Sequence, residues 1–357
     1  MSKHVIVIGS GIIGSSIAYQ LARRGARVTI LDEGEPGGVA TRASFAWINA
    51  SWGNPDFYFR LRRRSMAEWR GLAAEIPDLQ VSWCGGLLWD VTGDARDDFL
   101  RDHAHWGYGL RVVDRTEIEA LEPGLAAPPA EAIHVAEEGV VEPLDAALAL
   151  LTAARGLGAE LFTPVRVKWL DVEAGKVRGV LLDDGHIQAD EVVVAAGAGA
   201  PALLASADFD LPLELPPGLL VHSEPAPPLI RGLVMAPELH LRQTREGVLV
   251  AGSDFGGSDP GAEPRKTAEE LFRKVQGFVK GGKDLVFGGF SVGYRPTPRD
   301  GLPVIGKVPS AERLYAAVMH SGITNAAAVG LFAAHEILGG EREVLLERFR
   351  PERFCIN

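Results

Sequence analysis

The sequence predicts a mixed α/β protein in which a parallel sheet, built from three separated stretches of chain, alternates with a mainly antiparallel one. Three observations carry this. The stretch up to Asp32 reads strand, glycine turn, helix, strand, acid. A second short apolar run, 191–195, passes straight into glycines, and a third, 314–320, leads into a glycine turn and a helix of small residues. Between them lie short, turn-punctuated strands.

The opening unit is KHVIVIGSGIIGSS. Val5–Ile8 reads as a buried parallel strand, and Gly9, Gly11 and Gly14 follow as G-x-G-x-x-G. Gly9 permits a tight turn, Gly11 lets backbone approach a pyrophosphate, and Gly14 lets the helix pack on the strand. Ile12 and Ile13 open that helix, whose free N–H groups and positive dipole end face the phosphates. The second strand, Val28–Leu31, ends at Asp32, followed by Glu33, where a carboxylate accepts hydrogen bonds from ribose hydroxyls. This is a dinucleotide site, and the motif alone does not separate NAD from FAD.

At 357 residues the chain is long enough for two domains. A net charge of −11 argues against nucleic acid as a partner, and no apolar run approaches the length of a membrane span. The glycine motif explains the apolar run near the N-terminus as a strand and not a signal peptide. Two cysteines, Cys84 and Cys355, suit a reducing cytoplasm and give no metal-ligand spacing, so no metal is expected.

Along the chain, residues 33–55 form a long loop of small residues, and 57–76 is helical with Leu61, Met66, Trp69 and Leu72 as its buried stripe. Arg60 and Arg62–Arg64 on that helix read as a solvated basic face. Short strands begin near Val81, with helices near 95–105 and 115–123, and EGVVEP (138–143) closes this insert. An amphipathic helix (144–161) leads into a meander of strands over 165–203, turning at 173–175 and 183–185. Residues 211–289 are strand-rich with one helix near 267–280. The expected division is a nucleotide domain of 1–80, 141–210 and 290–357, and a substrate domain of 81–140 and 211–289.

Four segments in this order, VIVIGSGIIGSSIAYQLARRGARVTILDEG, VEPLDAALALLTAARGLGAEL, ADEVVVAAGAGA, and GYRPTPRDGLPVIG followed by MHSGITNAAAVG, resemble the D-amino acid oxidase family of flavoproteins. That family includes glycine oxidase, sarcosine oxidase and D-amino acid dehydrogenases. The resemblance spans nearly the whole chain. It implies a Rossmann-like, glutathione-reductase-like FAD domain with an interleaved, mainly antiparallel substrate domain.

The resemblance further implies roles. Gly37, Gly38, Thr41 and Ser44 would lay donors along the pyrophosphate and the flavin edge. Ala196, Gly197 and Gly199 would let backbone pass close to the dinucleotide, and Val165–Val167 would pack near adenine. In HSGIT, Ser321, Gly322, Ile323 and Thr324 open a helix whose N-terminus would face the flavin pyrimidine carbonyls. Arg295, in GYRPTP, would grip a substrate carboxylate at the flavin, since a guanidinium offers the matching two-pronged fork. A structural ion pair, such as Arg299 with Asp300, is the alternative use of charge there. His240 could touch the substrate and His320 could lie beside the flavin, although either could equally be a satisfied polar residue. Trp47, Asn49 and Trp52 lie in a loop expected under the flavin ring, where they line the pocket or pack as core.

The expected activity is FAD-dependent oxidation of the C–N bond of a small amino acid or N-alkyl amino acid to an imine that water hydrolyses, with oxygen or another acceptor taking the electrons. Alternatives are the flavoprotein subunit of a multi-subunit amino acid or opine-type dehydrogenase, and a non-catalytic flavin-binding protein. Homo-oligomerisation is left open. FAD is expected to be non-covalent, because neither cysteine precedes the C-terminal turn and the N-terminal loop has no histidine.

Overall fold

The computed structural model describes residues 2–51, 53–253 and 259–355. Its parallel sheet runs in the order Val304–Lys307, Leu314–Val318, Glu191–Val194, His4–Ile8, Arg27–Leu31, Glu160–Phe162, with only the first pair antiparallel. The His4–Ile8 strand is buried on both faces, as its unbroken apolar run requires. Val5 and Val7 face the helices Ile12–Arg23, Pro143–Gly156 and Gly322–Ile337. Ile6 and Ile8 face the helix Ala200–Ala205 and the antiparallel strands Trp169–Glu173, Lys176–Leu182 and Gly185–Gln188, which are the expected meander.

The helix Gly322–Ile337 crosses Ile12–Arg23 closely because both present small residues. A Cβ at Gly330 would lie 2.2 Å from Ser16 Oγ, and that hydroxyl donates to Ala326 O. The helix Asp56–Glu75 packs on the other side, burying Leu61, Met66, Trp69 and Leu72 as expected.

The second sheet has eight strands in the order Phe287–Tyr294, Pro217–Ser223, Leu249–Gly252, His240–Gln243, Leu233–Met235, Gly86–Leu88, Glu131–Val135, Leu110–Asp114, all antiparallel neighbours except Leu233–Met235 with Gly86–Leu88. The strand Phe287–Tyr294 crosses position 290 without a break. The sheet's outer face packs under the helix Pro264–Phe278 through Leu219, Val221, Leu241 and Ala251. Its inner face, through Leu88, Val135, Leu220, Met235 and Val250, joins the core of the parallel-sheet domain.

Two expectations on charge are corrected. Arg60 and Arg64 are exposed and pair with Asp56 and Glu68 one turn away, but Arg62 is only 1% exposed. It points the opposite way around the helix, into the core, where Asn49 supplies acceptors. Asp300 pairs with Arg353, brought in by the C-terminal segment, and not with Arg299.

Candidate active site

The glycine turn is sterically obligatory. Gly9, at φ +104°, donates to Leu31 O at 2.8 Å, and a Cβ there would sit 2.4 Å from Ala195 O. A Cβ at Gly14 would sit 1.9 Å from Gly9 O. Gly11 differs: its nearest neighbour would be Thr41 Oγ1 at 3.4 Å, so packing does not demand glycine there. Its bare backbone is the opening that a bulky phosphate needs. Gly38, at φ +70°, closes over it, since a Cβ there would lie 2.8 Å from Gly11 Cα. Thr41 Oγ1 accepts from Ile12 N at 3.1 Å, joining the second loop to the helix start.

Asp32 ends its strand as expected, with its carboxylate turned toward the glycine loop. Oδ2 accepts from the backbone N–H and the hydroxyl of Ser10, each at 2.6 Å, and Oδ1 accepts from Gly34 N. Glu33 forms an exposed ion pair with Arg166, and Val167 is buried next to the strand ends. Val165 N donates to Asp32 O, which brings that segment beside the acid.

A second helix start lies against the first. Gly322 opens Gly322–Ile337 after Ser321, which is in the left-handed region at φ +58°, and a Cβ on Gly322 would be 3.5 Å from Ile13 Cγ1. Two positive helix ends therefore share one region. Thr324 Oγ1 donates to Trp47 O and accepts from Asn49 N, tying the 44–51 loop to this helix. Trp69 Nε1 donates to Ile323 O. Ser44 Oγ accepts from Ala46 N and shapes the same loop.

That loop is held by a carboxylate that sequence reasoning did not single out. Glu138 is 0% exposed and accepts from Trp47 Nε1 at 2.8 Å, Ala50 N at 3.0 Å, Ser51 N at 2.9 Å and the Tyr108 hydroxyl at 2.9 Å. Burial pushes its pKa up, while the Ser51 and Ala50 N–H groups and the Tyr108 hydroxyl pull it back. The same buried carboxylate pushes the Tyr108 phenol up, second to burial itself. Trp47 is thus buried with its indole N–H committed to Glu138; Trp52 lies outside the described residues.

The inner face of the second sheet supplies the facing wall. Alternation in His240–Gln243 turns His240 and Arg242 inward with Val250 and Met235. His240 Nε2 lies 3.1 Å from Asp90 Oδ2. Arg242 makes a two-pronged pair with Glu142 and donates to Phe45 O, clamping the sheet to the 44–51 loop. On the neighbouring strands His222 lies opposite Val250 and pairs with Ser291 at 3.0 Å. Burial, then the Arg242 charge, lowers the His222 pKa. His222 and Arg242 were not foreseen; the period-two register with His240 is the signal that could have found Arg242.

Arg295 follows the edge strand Phe287–Tyr294. Its N–H donates to Pro216 O and its Nη2 to Pro217 O, so one terminal nitrogen of the guanidinium already rests on backbone. The next residue, Pro296, sits 4.0 Å from where a Cβ on Gly197 would be, so the Arg295 loop touches the turn after the central strand. Ala196 is the residue just before that turn. His320 Nδ1 lies 3.0 Å from Ser321 Oγ, and burial, then Arg295 and Arg62, hold its pKa down to about 4. Arg295, His320, Arg62 and the second helix start therefore share one electropositive neighbourhood. Among the described residues no group of three or more His, Cys, Asp or Glu could hold a metal. None of the helices described is long and apolar enough to cross a membrane.

A glycine cradle at the end of a parallel sheet and two apposed helix starts, with Arg295 and Arg62 close to the second, define a dinucleotide-binding protein. The family model for FAD-dependent oxidoreductases of the DAO type matches residues 4–336, and the chain belongs to that family. It is 30% identical to the oxidoreductase YurR of Bacillus subtilis (strain 168), with 98% of each chain covered. It is 28% identical to a glycine oxidase of Bacillus licheniformis, covering 98% of this chain and 96% of that one. The crystal structure of glycine oxidase from Geobacillus kaustophilus superposes with a TM-score of 0.86 over 100% of both chains at 25% identity. The protein is an FAD-dependent oxidoreductase with the mixed α/β architecture expected from its sequence.

Proposed function

We propose that the protein oxidises the C–N bond of a small amino acid or N-alkyl amino acid. The observation that carries this reading is the placement of Arg295 near His320 and beside the Gly197 turn, which itself follows the Ala195–Ala196 backbone that Gly9 packs against. The likeness to glycine oxidases supports the substrate class.

FAD, when bound, supplies the acceptor for the hydride. Gly9, Gly11, Ile12, Ile13, Gly14 and Gly38 would hold its pyrophosphate, Asp32 and Glu33 its ribose, and Val167 its adenine. Thr41, Ser44, Ala196 and Gly197 would line its length, with Ser321–Thr324 at the pyrimidine edge. The fit rests on Gly11, where a Cβ would meet only Thr41 Oγ1 at 3.4 Å and would stand in the opening that the other glycines shape. Both cysteines lie away from this cradle, Cys84 on the second-sheet side and Cys355 exposed at the C-terminus, which supports non-covalent attachment.

Arg295 would fork the substrate carboxylate and so fix the Cα–H direction. His320, neutral at pH 7, adds no charge of its own, while Arg295 and Arg62 disfavour a second cation nearby. The substrate amine is thereby pushed toward its neutral form. Its lone pair forms the C=N bond as the C–H pair leaves as hydride, and the N–H proton goes to solvent. Water then hydrolyses the imine to an oxo acid or aldehyde plus an amine. His240, held by Asp90, would orient the substrate from the sheet side.

The test is turnover of a panel of glycine, sarcosine, and D- and L-amino acids, read as oxo acid or aldehyde formed, with oxygen and an artificial dye as acceptors. Product from at least one carboxylate-bearing amine is expected. Failure across the panel with both acceptors would remove the reading.

A further inference from the structure

Arg62 is an exception to a strong rule. A guanidinium at 1% exposure is normally paired with a carboxylate, because an uncompensated buried charge is costly. Here Nε donates to Asn49 O at 3.0 Å and Nη2 to Asn49 Oδ1 at 2.5 Å, and the group lies 5.4 Å from the centre of the Tyr58 ring. These partners are neutral, and no carboxylate pairs with Arg62 among the described residues. Glu138, the buried carboxylate that holds the 44–51 loop, is occupied by other donors.

The placement of this charge is specific. Asn49, which Arg62 grips twice, donates its N–H to Thr324 Oγ1 in the first turn of Gly322–Ile337. Arg62 is also close enough to His320 to repel a proton there. The charge therefore sits behind the helix start that the proposed FAD site uses, joined to it through Asn49. With Nε and Nη2 committed to Asn49, what Arg62 adds to that helix start beyond the grip is its field.

We propose that Arg62 is a positioning residue that holds Asn49 and supplies the buried positive charge balancing the negative charge gained by the bound flavin on accepting a hydride. A hydride carries one proton and two electrons, so the cofactor gains one negative charge and the substrate loses it. In the apolar surroundings of Arg62 that charge is weakly screened, and it adds to the helix dipole. The inference rests on FAD occupying the cradle, and not on which amine is oxidised.

The test uses the flavin-loaded enzyme reduced without substrate, by photoreduction against a reference dye, together with sulfite titration, since sulfite adds to the flavin and leaves it negatively charged. Arg62→Met is expected to weaken sulfite binding at least about tenfold and to lower the two-electron potential by about 30 mV per tenfold. Arg62→Lys, which keeps the charge but not the fork, should recover most of both. Asn49→Asp keeps the guanidinium and neutralises it with a carboxylate, so it should also weaken sulfite binding even if Arg62→Met fails to fold. The proposal is overturned if Arg62→Met weakens flavin binding but leaves the potential unchanged, which would assign the charge to the standing phosphates. It is also overturned if Arg62→Lys falls as far as Arg62→Met, or if Asn49→Asp leaves sulfite affinity unaltered.

Discussion

Trp47 Nε1 donates to Glu138 Oε2 at 2.8 Å across 91 residues of sequence, in a place fully removed from water. The bond joins the 44–51 loop to the turn between the strands Glu131–Val135 and Gly139–Val141. Glu138→Ala would take the carboxylate acceptor from the Trp47, Ala50, Ser51 and Tyr108 donors. Orphaned buried donors cost about 1–3 kcal/mol each, and the expected loss is at least about 3 kcal/mol in total. Glu138→Gln keeps the shape and one acceptor oxygen, and should lose less. Urea unfolding of the holoenzyme followed by tryptophan emission checks the order.

Arg295 is expected to act on binding and orientation together. Arg295→Met should lower kcat/KM for a carboxylate-bearing amine about 100-fold, equivalent to about 2.7 kcal/mol of transition-state stabilisation. Arg295→Lys should recover only part, because an ammonium lacks the planar fork. An amine without a carboxylate should be affected much less. Equal losses on both substrates would place Arg295 in the scaffold and not at the substrate.

FAD is expected to leave with acid. Precipitating the yellow protein with trichloroacetic acid should give a colourless pellet and a yellow supernatant. A pellet that stays yellow after washing would reveal a covalent bond, and mass analysis of its peptides would locate it.

Parts of this site were legible in the sequence because backbone geometry leaves residue signatures. Gly9, Gly14 and Gly38 stand where a Cβ would collide with Ala195, Gly9 or Gly11, so the motif is written in the chain itself. The small residues of Gly322–Ile337 record its close crossing with Ile12–Arg23 in the same way. The buried charges left no such trace. Glu142 and Arg242 are 100 residues apart and Glu138 serves donors on two other segments, so nothing local marks them. Arg62 was hidden by company: it stands in a run of arginines in which Arg60 and Arg64 are solvated, and two residues, about 200° around the helix, separate its environment from theirs.

His320 gives the site a pH dependence whose direction is fixed. Burial and the charges of Arg295 and Arg62 depress its pKa from 6.5 to about 4, so the folded protein holds this imidazole neutral over a range in which the unfolded chain protonates it. Between those values the unfolded state binds more protons, and folding stability falls as pH falls. The contribution is fully present above about pH 6.5 and is lost progressively toward pH 4, amounting to roughly 3 kcal/mol at 1.36 kcal/mol per pKa unit. His320→Gln should flatten that limb of the stability curve, measured by urea unfolding of the holoenzyme at pH 4.5, 5.5 and 7. Its slope should shrink without a matching change at pH 7 to 8, where the imidazole is neutral in both states, and the remainder belongs to the other depressed histidines, His103 and His222 among them, which are also held down by burial. A limb left as steep as before would remove His320 from the account.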